Sequence, residues 1–125
     1  MNSLSKKIYE TNVKKGFWDK EFNMGEKLML ITSELSEALE VDRKDENKSV
    51  PGGIKSYMSS LKSNEDDKFK PLFESWVKDT LPDEFADVII RVLDLCGHLE
   101  IDIDWHIRMK MKYNQLREYK HGKKY

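Results

Sequence analysis

Residues 25–44, GEKLMLITSELSEALEVDRK, predict one helix that carries two acids beside an apolar stripe, and this pattern constrains the fold more than any other stretch. At about 100° per residue the apolar side chains gather on one side, which is typical of a helix packed on a core. Glu34 and Glu37 fall at the edge of that stripe, whereas Glu40 and Arg43 point towards solvent. Two acids one turn apart at the edge of a core repel each other and lose hydration, so we expect a positive charge between them. The stripe consists of Leu28, Ile31, Leu35, Ala38 and Leu39.

A second stretch, residues 82–98 (PDEFADVIIRVLDLCGH), repeats this arrangement. Glu84 and Asp87 flank its apolar side at the same offset as the acids of the first helix. If the two helices are antiparallel and share a core, their four acids meet in one oxygen-rich cluster of the kind that suits Mg²⁺ or Mn²⁺. The predicted metal ligands are Glu34, Glu37, Glu84 and Asp87, and the apolar side of the second helix consists of Phe85, Val88, Ile89, Val92, Leu95, Cys96 and Leu99.

Length and composition favour a single domain over residues 1–125, short enough that assembly with further copies would add stability. Charged residues make up 36% of the chain, but 22 basic and 23 acidic side chains nearly cancel. That balance gives no reason to expect a nucleic-acid polymer or a membrane as a partner. The single cysteine, and an N-terminal sequence without the apolar core of a signal peptide, lead us to expect a cytoplasmic protein.

The rest of the chain has helical spacing without strand-like alternation, so the predicted fold is all-α. A first helix is predicted over residues 3–15. Residues 45–67 are predicted to form a polar loop or partly mobile insertion, because a Pro-Gly-Gly sequence at 51–53 breaks them. Helical spacing returns from Phe69, with Pro71 in the first turn of a short insertion helix.

Capping residues predict where the last two helices begin. Thr80 can cap the second acid-bearing helix, with Asp83 three residues later, and either Asp102 or Asp104 can cap a final helix that runs to about residue 120 and stops at Gly122. The predicted architecture is a helical bundle of four main helices plus a short insertion helix. The acid-bearing helices carry apolar residues outside their stripes, so we expect a dimer or tetramer to cover them. These residues are Met29, Ala86, Ile90 and Leu93.

Polar side chains recur along one line of the final helix, at spacings of four, three and four residues. A lysine supplies a point charge, an arginine a planar fork of donors, and an asparagine can orient ester oxygens, so the line suits a polyphosphate, although such a line is more often a solvated helix face. Two aromatic residues, Phe17 and Trp18, follow the first helix and are either core plugs or a platform for a flat ring. The line consists of Lys110, Asn114, Arg117 and His121.

These residues resemble a known family. Glu34-x-x-Glu37 followed by Glu84-x-x-Asp87 is similar to the motif of the MazG-like all-α nucleoside triphosphate pyrophosphohydrolases. The chain end, KMKYNQLREYKHGKK, is similar to the KM-x-YN-x-x-R-x-x-x-HGK ending of many of these proteins. The segment between the two acid-bearing helices is long for this family, and Glu118 stands where many relatives have proline.

The resemblance implies Mg²⁺-dependent cleavage of a nucleoside triphosphate to the monophosphate and pyrophosphate. In this reading the four acids hold the metal and Glu37, which has no adjacent cation on its own helix, is the predicted general base. The resemblance also implies phosphate contacts and a base contact; the residues concerned are Lys110, Asn114 and Arg117 for phosphate and Trp18 for the base.

Three other readings fit parts of the sequence. A ferritin-like oxidase would need two Glu-x-x-His pairs on bundle helices, and only Glu118 with His121 fits that spacing. A helical module that binds nucleotides or partner proteins without turnover would carry the same basic line. A purely structural helical dimer would be stabilised by neither metal nor nucleotide.

Overall fold

The computed structural model describes residues 1–44 and 49–117, and within these residues the chain is helical, with no strand. The predicted all-α class is therefore confirmed for the described part. In chain order the elements are α1 (Asn2–Lys14), α2 (Met24–Arg43), α3 (Gly52–Ser60), a 3₁₀ turn (Ser63–Glu65), α4 (Asp66–Trp76), α5 (Leu81–His98) and α6 (Ile103–Gln115).

The chain divides into two compact units. The central unit is Met24–Arg91, and the terminal unit combines Met1–Asn23 with the described part of Val92–Tyr125. Helix α5 contributes its first turns, with Glu84 and Asp87, to the central unit and its last turns to the terminal unit. None of the described helices is both long enough and apolar enough to cross a bilayer.

Side-chain caps begin α5 and α6 as predicted. Thr80 Oγ1 accepts a hydrogen bond from the Asp83 backbone N–H at 3.4 Å, and the Asp83 carboxylate accepts one from the Asp79 N–H at 3.0 Å. At α6, Asp102 Oδ1 accepts from the Trp105 N–H at 3.1 Å. Because the first N–H groups of a helix lack intrahelical partners, these bonds fix where the two helices start.

The insertion contains two α-helices rather than one. The prediction of a loop over residues 45–67 is wrong for residues 52–60, which form α3. The extended backbone of Pro51 (φ −57°, ψ 144°) precedes α3, so the two glycines occupy a first turn, whose N–H groups need no intrahelical partner. Ile54 and Met58 are both half-buried and lie four residues apart, a spacing at which apolar side chains stabilise a helix. The Pro-Gly-Gly sequence marks a helix start.

Helix α4 also departs from the prediction, because it begins at Asp66 and leaves Pro71 inside the helix rather than in its first turn. The proline removes one intrahelical hydrogen bond. Asp66 and Asp67 occupy the first turn, where negative charge interacts favourably with the helix dipole. This favourable start explains why the helix extends one turn earlier than the apolar spacing indicated.

The buried face of α2 contains only part of the predicted apolar stripe. Leu28, Leu35 and Leu39 are 50%, 50% and 49% exposed, whereas Glu34 and Ala38 are 7% and 5% exposed. The helix therefore turns Glu34 and Ala38 inwards and leaves the three leucines of the stripe open. The sequence predicts that the whole stripe packs on the core, and the three exposed leucines correct that prediction.

Helix α5 shows the same pattern in the central unit, where Phe85 and Ile89 are exposed. In the terminal unit Leu95 and Cys96 of its apolar side are buried, and Leu93, which lies outside the predicted stripe, is only 1% exposed. Ser5 of α1 donates a hydrogen bond to the Leu93 carbonyl at 2.5 Å. A Cβ on Gly97 would lie 2.7 Å from Tyr9 Cβ, so the glycine permits the close approach of α1.

Candidate metal centre

Three of the four predicted metal ligands meet in the central unit. Glu34 of α2 and Glu84 and Asp87 of α5 each present a carboxylate oxygen, and these oxygens all lie within 4.8 Å of one another. Glu84 and Asp87 share one face of α5 because they are three residues apart. We call these three residues the acid cluster. Glu34 and Glu84 are buried, and Asp87 is half-buried.

Glu84 is the most perturbed member of the acid cluster. Its pKa is raised to about 7, mainly by burial. The negative charge of Glu37 and a hydrogen bond with Glu37 add to this rise. The Oε2 atom of Glu84 is buried and has no hydrogen-bond partner among the described residues. Burial is also the main reason why the pKa of Asp87 is raised, an effect that the charge of Arg91 opposes. A buried carboxylate oxygen without a partner is costly, and a bound cation would remove that cost.

Glu37, the fourth predicted ligand and predicted general base, lies beside the acid cluster rather than within the set of close oxygens. It is exposed, and its charge acts directly on Glu84. The two carboxylates line one shallow depression of about 370 Å³. A solvent-facing carboxylate next to a buried one is suited to take a proton from water, so the general-base assignment of Glu37 stays a prediction consistent with its position.

The positive charge expected near the acids of α2 comes from α5. Arg91 Nε donates to Glu34 Oε1 at 2.5 Å. Its charge also acts on Asp87, four residues earlier on α5, where it opposes the rise in pKa. Asp94 instead accepts hydrogen bonds from the Trp18 indole at 3.0 Å and from the Asn12 side-chain amide at 3.0 Å.

Sequence reasoning missed a second group of acids. Asp79, Asp83 and Glu84 also present oxygens within 4.8 Å of one another. Asp79 adopts a left-handed backbone conformation, with φ 62°, immediately before the cap of α5. The four-residue spacing of Asp79 and Asp83 was the available signal. The Asp79 backbone N–H donates to the Asp83 carboxylate, and Asp83 lies in the first turn of α5, where the helix dipole favours negative charge, so this pair has a structural role at the start of the helix.

The predicted phosphate-binding residues belong to the terminal unit. Lys110 and Asn114 lie on α6, but that helix ends at Gln115, so Arg117 lies beyond its last turn. The Lys110 Nζ and Arg117 Cζ atoms lie 5.5 Å and 5.7 Å from the ring centroid of Tyr113. Asn114 Oδ1 is buried without a hydrogen-bond partner in the described residues. His121 and Gly122, and Glu118 of the ferritin-like reading, lie outside the described residues.

Trp18 lies in an aromatic cluster of the terminal unit. Its ring stacks on His98, with centroids 4.2 Å apart and planes 11° apart, and on Phe22 at 6.1 Å. Tyr9 completes the cluster with an edge contact to Trp18 at 5.3 Å and a 3.2 Å hydrogen bond between its hydroxyl and His98 Nδ1. Trp18 is half-buried in this cluster, whereas Phe17 is 63% exposed and is not a core plug. The contact of Trp18 with a base stays a prediction.

The insertion adds a cavity that the sequence did not indicate. It measures about 890 Å³ and lies between α3, α4 and the start of α5 in the central unit. Three phenylalanine rings and one lysine are among the residues that line it: Phe69, Phe73, Phe85 and Lys55. The sequence gives no sign of this cavity, because one of its walls is α3, which lies in the segment predicted to be a loop.

No family model matches the chain. No curated protein and no solved structure matches it either. The resemblance to MazG-like proteins therefore rests on the acid motifs and the chain end quoted above.

Without divalent cations, the protein should lose stability as the pH rises from about 4.5 to about 7. The pKa of Glu84 is raised from 4.5 to about 7 in the folded chain, so the folded chain binds this proton more tightly than the unfolded chain does. The resulting stability is fully present below the unfolded pKa and is lost as the pH rises through the folded one. Thermal melts in a chelator between pH 4 and pH 8 measure this slope.

Glu84→Gln should flatten the slope, because glutamine does not titrate. Glu74→Gln, at an exposed acid of α4, is the matched control and should keep the slope of the parent. Equal slopes for the parent and Glu84→Gln would contradict the assignment.

Proposed function

We propose that the protein is a Mg²⁺-dependent nucleoside triphosphate pyrophosphohydrolase, which converts a nucleoside triphosphate to the monophosphate and pyrophosphate. One observation carries this proposal: a cluster of three carboxylates, two of them buried, in which Glu84 Oε2 has no hydrogen-bond partner among the described residues. The similarity of the two acid motifs and the chain end to MazG-like proteins supplies the reaction. Neither observation alone specifies it.

The residues of the acid cluster fit a hard divalent cation. All three offer oxygen, which Mg²⁺ and Mn²⁺ prefer, and they come from two helices that hold them within 4.8 Å of one another. Two carboxylates from α5 and one from α2 would hold the ion, with Glu37 at the solvent side. When bound, the ion supplies positive charge to the phosphate oxygens that gain electron density.

The side chains of the chain have separate tasks in this proposal. Glu37 takes a proton from the attacking water, whose oxygen forms the new bond to phosphorus while the phosphoanhydride bond breaks and pyrophosphate or the monophosphate leaves. Glu34, Glu84 and Asp87 would bind the divalent cation, whose positive charge the reaction needs. The burial of Glu34 and Glu84 excludes water from their oxygens and strengthens their electrostatic effect.

The proposal assigns substrate contacts to residues of the terminal unit. Lys110 and Arg117 are cations held beside one aromatic ring, and Asn114 has an oxygen without a partner among the described residues. Charged donors of this kind bind phosphate oxygens. Trp18 is assigned to the base on the strength of the resemblance. Sugar and base preference are left to a substrate panel.

The proposal includes a homodimer or homotetramer. Leu28, Leu35 and Leu39 form an open apolar stripe on α2, and Phe85 and Ile89 are exposed on the central-unit part of α5. Contiguous apolar surface of this kind marks interfaces in folded proteins. A second copy of the chain has the same unsatisfied surface and is the simplest partner.

Replacing acids at the centre should separate activity from stability. Asp87→Asn and Glu37→Gln relieve repulsion, so both variants should melt no lower than the parent without metal. They should nevertheless lose the stabilisation by Mg²⁺ and reduce pyrophosphate release by about 100-fold or more. Release from canonical and modified nucleoside triphosphates measures the activity, and Glu74→Gln is the control.

Two outcomes would contradict this account. Variants that lose stability but keep activity per folded molecule would make the acids structural. A parent that binds triphosphates with Mg²⁺ but never cleaves them would favour the alternative of a non-catalytic nucleotide-binding or protein-interaction module.

Arg117→Ala should weaken triphosphate binding by about 1.5–3 kcal/mol, which is the usual range for hydrogen bonds to a charged group. Arg108→Ala, at an exposed arginine elsewhere on α6, is the matched control and should bind as the parent does. Calorimetric titration with a non-hydrolysable triphosphate measures both. Equal affinity of the two variants would contradict phosphate binding by Arg117 and favour the alternative that the basic line is a solvated helix face.

In light scattering at micromolar concentration, the parent should have the mass of two or four chains. Leu35→Glu places a charge in the open stripe of α2 and should lower that mass, because burying an unpaired charge is costly. Ser36→Glu, at a neighbouring exposed polar position of α2, should not change it. A single-chain mass for the parent would contradict the assembly.

A further inference from the structure

The ion pair of Arg91 and Glu34 joins a partly exposed cation to a buried carboxylate. The Glu34 side chain is 9% exposed, while that of Arg91 is 41% exposed, and Arg91 Nε donates to Glu34 Oε1 at 2.5 Å. A guanidinium has five N–H donors arranged as a planar fork. One N–H group of Arg91 therefore contacts the buried carboxylate of Glu34. The rest of the guanidinium lies beside the acid cluster and is exposed to solvent.

Arg91 stands on the same helix as two members of the acid cluster. It follows Asp87 by four residues, which places the two side chains one turn apart on α5. It reaches α2 through Glu34, the one member of the cluster that α2 contributes. Arg91 is thus a cation within the central unit that contacts the group of oxygens proposed to hold a metal.

A divalent cation and Arg91 would compete for the Glu34 carboxylate. Glu34 Oε1 accepts from Arg91, and an oxygen of Glu34 belongs to the cluster that fits the ion. Two cations at one carboxylate repel each other, and this repulsion is large where water is partly excluded. When the ion takes Glu34, the guanidinium loses its partner. A planar fork with its own charge then has strong affinity for a phosphate oxygen.

We propose that Arg91 is an exchangeable counter-ion: it holds Glu34 in place before a divalent cation binds, and afterwards binds an anionic oxygen of the phosphate-bearing ligand. This inference rests on the proposed function, since it requires the acid cluster to bind a divalent cation. It assigns Arg91 a task different from that of a permanent structural ion pair. A permanent pair would stay on Glu34 in both states.

Three measurements on the full chain test the exchange: the metal-free melting temperature, the affinity for Mn²⁺ alone, and the affinity for imidodiphosphate in the presence of saturating Mn²⁺. Arg91→Gln should melt below the parent without metal, because Glu34 loses its cation. It should bind Mn²⁺ alone about fivefold more tightly, because the competitor is gone. It should bind imidodiphosphate at least about tenfold more weakly, because the fork is missing.

Two further variants serve as controls. One keeps the positive charge at position 91 without the guanidinium shape, and the other removes an arginine outside the site. Arg91→Lys keeps the charge, so it should melt close to the parent, yet it lacks the fork and should lose most of the imidodiphosphate affinity. It also keeps the test open if Arg91→Gln folds poorly. Arg43→Gln removes an exposed arginine that pairs with Glu40 at 3.5 Å on α2, and it should change none of the three values.

The outcomes distinguish the two proposals. If the parent binds Mn²⁺ but Arg91→Gln binds it equally or more weakly, or binds imidodiphosphate as the parent does, the exchange is overturned and Arg91 is a permanent counter-ion. If the parent does not bind Mn²⁺, the proposed metal centre is overturned, and the exchange fails with it.

Discussion

Repulsion among carboxylates that are buried together is the constraint on which the central unit depends. Glu34 and Glu84 are among the most buried polar side chains of the described chain, and Asp87 lies within reach of both. Taking charges of one sign out of water costs several kcal/mol per group unless something neutralises them. The protein meets this cost in two ways. Arg91 pairs with Glu34, and the raised pKa of Glu84 allows that group to keep its proton near neutral pH. In the proposed metal-bound state, a divalent cation would neutralise the carboxylates instead.

The inward-facing acids also determine what the two helices leave outside. Because α2 turns the strip with Glu34 towards the interior, its leucine stripe faces outwards, and Phe85 of α5 is exposed in the same unit. A helix has only one buried strip against a single neighbour. If that strip is used for carboxylates, the apolar surface needs a second covering. The candidate metal centre and the expected assembly therefore have one physical origin.

The sequence predicted the helices and their starts better than it predicted the surfaces. Apolar periodicity and capping residues locate α2, α5 and α6, since both act within a few residues of the chain. Periodicity gives the angle between the stripe and the acids of α2, but it does not say which of them lies inside. That depends on the partner helix, and the exposure of Leu35 shows the difference. Helix α3 was missed because Pro-Gly-Gly is compatible with a turn or with a helix start.

The candidate site was predicted in part for similar reasons. The three-residue spacing of Glu84 and Asp87 places them on one face of any helix, so their proximity follows from the sequence. The pairing of Arg91 with Glu34 joins two helices and depends on their packing, which no local pattern contains. The length of α6 was overestimated because its polar line continues past Gln115 in sequence although the described helix does not.

The central claim is that Glu34, Glu84 and Asp87 form one site for a divalent cation. The most direct measurement is anomalous diffraction from crystals grown with Mn²⁺, which locates the ion without reference to activity. We expect a single strong peak with carboxylate oxygens of all three residues about 2.0–2.3 Å away, the usual range for hard cations with oxygen ligands. A protein crystallised with millimolar Mn²⁺ that shows no peak among these carboxylates, with Arg91 still on Glu34, would contradict it.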